Sequence, residues 1–130
     1  MQDAPQNPIP EKTTGAAHLF AATRYSFQGL LRLWGETAFR HELLAGLLGL
    51  GLLLGVGAPA LWIVAVAVLA LLTLAIEALN TAIEEIVDHV SPEWSRAAKH
   101  AKDMGSFAVM ALLLATGLVF GCALWSSFTA

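Results

Sequence analysis

No Asp, Glu, Lys or Arg occurs between Leu43 and Ile76, a run of 34 residues. A second charge-free run of 27 residues extends from Met104 to the C-terminus. One membrane crossing needs about 20 apolar residues. The first run is too long for one helix, and Gly55-Val-Gly-Ala-Pro59 interrupts it. The pattern predicts an all-α membrane protein with spans at about 38–54, 59–77 and 104–125. Charged residues make up 13% of the chain, about half the share in a soluble domain, which excludes an ordinary soluble fold.

All seven basic residues (Lys12, Arg24, Arg32, Arg40, Arg96, Lys99 and Lys102) precede the first span or lie between the second and third. The positive-inside rule then predicts a cytoplasmic N-terminus and 87–103 segment, with the C-terminus outside. Residues 1–15, with Pro5, Pro8 and Pro10 and no apolar core, read as a disordered leader without a cleavable signal. Residues 16–130 read as one domain. Its first element, 16–34, places Ala16, Phe20, Phe27, Leu30, Leu31 and Trp34 on one face, as in a helix lying in a membrane surface.

The second span runs into Glu77-Ala-Leu-Asn-Thr-Ala-Ile-Glu-Glu-Ile-Val-Asp88. At about 100° per residue, Glu77, Asn80, Thr81, Glu84 and Asp88 share one face, so the helix should continue to about 89. Stacked carboxylates repel one another, and the membrane boundary adds a desolvation cost. A hard divalent cation would relieve both; a helix end emerging into water is the alternative. Glu36, at the start of the first span, belongs to the same boundary. Ser91-Pro92-Glu93 reads as the cap and first turn of the next helix. Lys99, Lys102 and Asp103 follow on one face, as phosphate contacts or as plain juxtamembrane charge. Gly51/Gly55 and Gly117/Gly121 form GxxxG pairs, which allow close helix approach and suggest oligomerisation. No P-loop motif occurs, the four histidines show no zinc spacing, and nucleic acid is not an expected partner. Carboxylates on two helix ends, a lysine and a nearby base suit phosphoryl transfer with Mg²⁺ and ATP. Glu77, the deepest acid, is best placed to take a proton from a lipid hydroxyl.

Glu36-x-Ala-Phe-Arg-x-Glu42, Glu77-x-Leu-Asn-x-Ala-Ile-Glu84-x-x-Val-Asp88 and Ala101-Lys-Asp-Met-Gly-Ser106 resemble the small bacterial diacylglycerol kinases from about Tyr25 to Ser127. The resemblance implies a surface helix and three membrane helices per subunit, in a homotrimer with shared active sites. It implies transfer of the ATP γ-phosphate to diacylglycerol, giving phosphatidic acid. Glu77 matches the catalytic base, and Glu36 and Glu84 the metal-binding acids. Tyr25, Glu36, Asn80, Glu84, Asp88, Glu93, Trp94, Ser95, Lys102 and Asp103 match ATP-side positions, with His18 at a position where the resemblance is thin. Trp34, Phe39, Arg40, Glu77, Ser106 and Trp125 match the lipid side. Undecaprenol kinase, from another branch of the family, and a non-enzymatic membrane subunit remain the alternatives.

Overall fold

The computed structural model describes residues 15–129 as four helices: α1 (Ala16–Leu33), α2 (Thr37–Gly55), α3 (Ala60–Val90) and α4 (Arg96–Thr129). Apart from Gly15, the expected leader lies outside the described residues. The chain forms two compact units that divide between Arg32 and Leu33. The first holds α1, whose aromatic and leucine side chains, Leu19, Phe20, Tyr25 and Phe27 among them, are exposed.

In the second unit α2, α3 and α4 are each long and apolar enough to cross a membrane. Their burial pattern inverts that of a soluble bundle. Leu44, Leu48, Leu61, Leu71 and Leu118 are exposed, whereas Thr73, Glu77, Asn80 and Thr81 are buried. Apolar side chains facing outward and polar ones facing neighbouring helices is the arrangement a lipid solvent favours.

The α2–α3 turn closes through a Schellman motif. The Ala58 N–H donates to Leu53 O (2.9 Å) and the Gly57 N–H to Leu54 O (3.1 Å). Gly57 takes φ +69°, a left-handed conformation that glycine adopts without a Cβ clash. Ala58 then tucks against Leu53, Val66 and Ala123, the apolar core of this end of the bundle. Pro59 stands one residue before the helix. Antiparallel α2 and α3 therefore return the chain to its starting level, where α4 packs along α3.

One local expectation is corrected. Ser91-Pro92-Glu93 does not start α4; it belongs to the turn. Ser95 is the cap: its Oγ accepts the Ala98 N–H at 3.1 Å and its carbonyl accepts the Lys99 N–H at 3.1 Å. The Ser91 hydroxyl is engaged within the turn, with Glu93 O and Ser95 Oγ. The GxxxG glycines make no close approach within the chain, so any close approach at these pairs would be between subunits. A Cβ at Gly51, Gly55, Gly117 or Gly121 would meet nothing within 4 Å. The close approaches occur at Gly46 beside Ala70, Gly49 beside Phe120 and Gly105 beside Asn80.

Candidate active site

α3 runs unbroken through the acidic stretch, so its carboxylates keep helical register. Two of them, Glu77 and Glu84, line a cavity of about 310 Å³ at the level where α2 begins. α2 contributes Glu36, Ala38 and Glu42, α3 contributes Glu77, Asn80, Thr81 and Glu84, and α4 contributes Ser106 and Val109. Glu36 is the N-cap residue of α2, yet its side chain makes no capping hydrogen bond and forms part of the cavity wall.

Glu77 is only 6% exposed, and Asn80 and Thr81 are 8% exposed. The Asn80 Nδ2 donates to Glu84 Oε1 at 3.3 Å, which orients that carboxylate. The other end of the same amide, Oδ1, is buried without a hydrogen-bond partner. It faces Gly105, where a Cβ would overlap it and would stand 3.2 Å from Asn80 Cγ. Absence of a side chain at Gly105 thus lets α4 approach α3 at the site.

Among the described residues no three His, Cys, Asp or Glu groups are gathered closely enough to form a metal cage. Mg²⁺ rarely uses one; it binds through one or two carboxylates plus substrate phosphates. A cavity with Glu36 on one helix end and an oriented Glu84 on another offers donors of that kind. The residues present therefore fit Mg²⁺ held jointly with a phosphorylated ligand.

A second cavity of about 330 Å³ is lined by Asp88, Ser91, Glu93, Trp94, Ser95, Lys99 and Lys102, among others. Asp88 lies one helical turn, about 6 Å, beyond Glu84. Lys102 Nζ stands 2.5 Å from Asp88 Oδ1, with both side chains partly exposed. Lys99 pairs with Asp103 at 2.5 Å within α4. The lysines are thus already paired with carboxylates, and an incoming phosphate would compete for Lys102.

The structure does not gather every residue the sequence nominated. Trp125 lies 19 residues along α4 from Ser106, about 28 Å away at 1.5 Å per residue. It lines a different cavity with Trp62 and Cys122. Phe39 is 4% exposed, Arg40 hydrogen-bonds Thr37 at 3.3 Å, and neither lines the carboxylate cavity; nor does Trp34. His18 and Tyr25 are exposed on α1. Conversely, Glu42 and Thr81 line the cavity although neither was given a role: Thr81 was placed only on the shared α3 face, and Glu42 only within a motif. A signal for Glu42 existed. It is the last charged residue before the long charge-free run, and Glu77 is the first after it; a tight turn brings the two ends of such a run together.

Comparison with known proteins gives a consistent result. The family model described as prokaryotic diacylglycerol kinase matches residues 24–124. A diacylglycerol kinase of Sinorhizobium sp. is 56% identical over 108 residues, covering 83% of this chain and 79% of that protein. The Haemophilus influenzae diacylglycerol kinase is 39% identical over 111 residues, covering 85% and 94%. That of Escherichia coli K12 is 35% identical over 121 residues, covering 92% and 99%.

Proposed function

The chain belongs to the prokaryotic diacylglycerol kinase family, and from that premise we propose that it moves the γ-phosphate of ATP to the free hydroxyl of diacylglycerol. The products are phosphatidic acid and ADP. The observation that carries this reading is the cavity where Glu36, Glu42, Glu77 and Glu84 converge from two helices, at the end of two apolar spans. A water-soluble nucleotide and a membrane alcohol can meet only at such a boundary.

Glu77, the most deeply placed acid of α3, accepts the hydroxyl proton as general base. The freed oxygen attacks the γ-phosphorus, and the bond to the β-phosphate oxygen breaks to release ADP. Asn80 holds Glu84 in place through its amide. Glu36 and Glu84 would hold Mg²⁺, which would supply charge neutralisation for the phosphates. Lys102 adds positive charge, and Asp88, Glu93, Trp94, Ser95 and Asp103 lie on the nucleotide side. Ser106, which lines the carboxylate cavity, lies toward the acceptor. Residues 16–130 act as one kinase domain, with α1 on the cytoplasmic membrane surface. The N-terminus and the 91–95 turn face the cytoplasm, the C-terminus faces the periplasm, and subunits assemble as a trimer with shared sites.

The test offers purified protein labelled ATP with diacylglycerol or undecaprenol in mixed micelles. Phosphatidic acid is the expected product, and Glu77→Gln should lower its rate by about 10²–10⁴-fold, the usual contribution of a general base. Glu77→Gln within a few-fold of the parent would remove Glu77 from the mechanism. No lipid-dependent ATP consumption would remove the kinase reading.

A further inference from the structure

A groove of about 240 Å³ leaves the carboxylate cavity and runs between α2, α3 and α4. The two spaces share Glu42, which lines both. The groove exists because small residues face one another across it, with Gly46 and Gly49 on α2, Ala70 on α3 and Gly117 on α4. Its far end follows from helix register. Along α2 it extends from Glu42 to Gly49, about 10 Å at 1.5 Å per residue. There the Phe120 ring lies across the α2 backbone, with Cε2 3.3 Å from the position of a Gly49 Cβ.

The groove walls ask for a hydrocarbon guest. Two hydroxyls line it, those of Thr73 and Thr116. Each is within hydrogen-bond reach of a carbonyl of its own helix, Thr73 of Leu69 O at 2.9 Å and Thr116 of Leu112 O at 2.8 Å, and the two hydroxyls stand 3.3 Å from each other. Their protons are thereby used within the bundle, on a helix carbonyl or on the other hydroxyl, and no hydroxyl donor is left for an occupant. An apolar cavity of this kind excludes water and takes apolar guests. Only the Glu42 end is polar, and Glu42 Oε2 is buried there without a hydrogen-bond partner.

We propose that this groove takes one acyl chain of the acceptor lipid and that Phe120 is the residue that limits how far the chain enters. The assignment rests on the kinase reading above. A lipid whose hydroxyl stands beside Glu77 must send its chains back along the helices, and the groove starts at that point. Chains that end short of Phe120 gain nothing from the far half of the groove, whereas longer chains fill it.

The full-length protein in mixed micelles provides the test, with dihexanoylglycerol and dioleoylglycerol as acceptors. Gly117→Leu places a side chain in open space, since a Cβ there meets nothing within 4 Å. It should lower kcat/KM for dioleoylglycerol by about tenfold or more, in the range by which apolar pockets discriminate, and leave dihexanoylglycerol within about twofold. Equal losses on both acceptors, or no loss on either, overturn the assignment. A second measurement is independent of turnover. A diacylglycerol with a mid-chain diazirine, irradiated without ATP, should label groove residues of α2 and α4. Label confined to outward-facing Leu44 and Leu48, with phosphorylation intact, retires the groove and leaves the kinase reading standing. Label in the groove with no phosphorylation of any diacylglycerol retires the kinase reading and keeps the hydrocarbon site.

Discussion

Gly105→Ala is the substitution that most directly probes how the site is held. The added Cβ would overlap Asn80 Oδ1 and stand 3.2 Å from Asn80 Cγ. Either α3 and α4 separate, at the about 1–3 kcal/mol typical of overpacking, or Asn80 rotates, at about 0.5–1.5 kcal/mol for an off-rotamer side chain. Rotation moves only the free end of one side chain and keeps the two helices packed, but it breaks the 3.3 Å hydrogen bond from Asn80 to Glu84. A hydrogen bond to a charged group contributes about 1.5–3 kcal/mol, so this route costs about 2–4.5 kcal/mol in all and Glu84 loses its orientation. Groups that orient a metal ligand change affinity or activity by about 10–100-fold when altered. The assay is lipid phosphorylation as a function of Mg²⁺ concentration, with the Mg²⁺ requirement expected to rise by that factor. Since the effect runs through Asn80, Gly105→Ala should add little in an Asn80→Ala background, as coupled neighbours do in a double-mutant cycle. A Gly105→Ala protein with rate and Mg²⁺ requirement within about twofold of the parent, or full additivity with Asn80→Ala, would refute the reasoning.

Three further outcomes follow from the same geometry. Glu84→Gln should raise the Mg²⁺ requirement more than Gly105→Ala, because it removes a ligand charge; chelation should stop turnover and added Mg²⁺ restore it. Lys102→Met should raise KM for ATP while leaving KM for diacylglycerol within about twofold, as expected of a point charge on the phosphate side; steady-state kinetics in both substrates decide it. Ser95→Ala should cost about 1 kcal/mol through loss of the α4 cap, read as faster amide exchange at Ala98, whereas Ser91→Ala should leave that amide unchanged.

The acidic face of α3 was visible in the sequence because Glu77, Asn80, Glu84 and Asp88 repeat with the helical period. The start of α4 was not. Ser91-Pro92-Glu93 and Ser95-Arg96-Ala97-Ala98 both carry a plausible cap, and proline made the first more prominent. The structure selects the second because only Ser95 brings its hydroxyl to a backbone N–H one turn on. The glycines show a related limit: spacing reveals which residues are small, but not which side of the helix faces a neighbour within the chain. Gly105, outside either GxxxG pair, is the one a side chain would most disturb at the site.

What the chain's order of residues determined is local: three apolar runs long enough to cross a bilayer, a turn at Gly57, and acids in helical register. Runs of this kind exclude alternatives because charge and unpaired backbone are costly in lipid. What the packed helices decided is which groups meet. Glu42 joins Glu77, Lys102 turns to Asp88, and Asn80 lies against Gly105 with Trp125 about 30 Å along the same helix as Gly105. Those pairings depend on the rotation of each helix about its axis and on its distance from the next. Many small contacts along the bundle fix both, and no short segment carries that information.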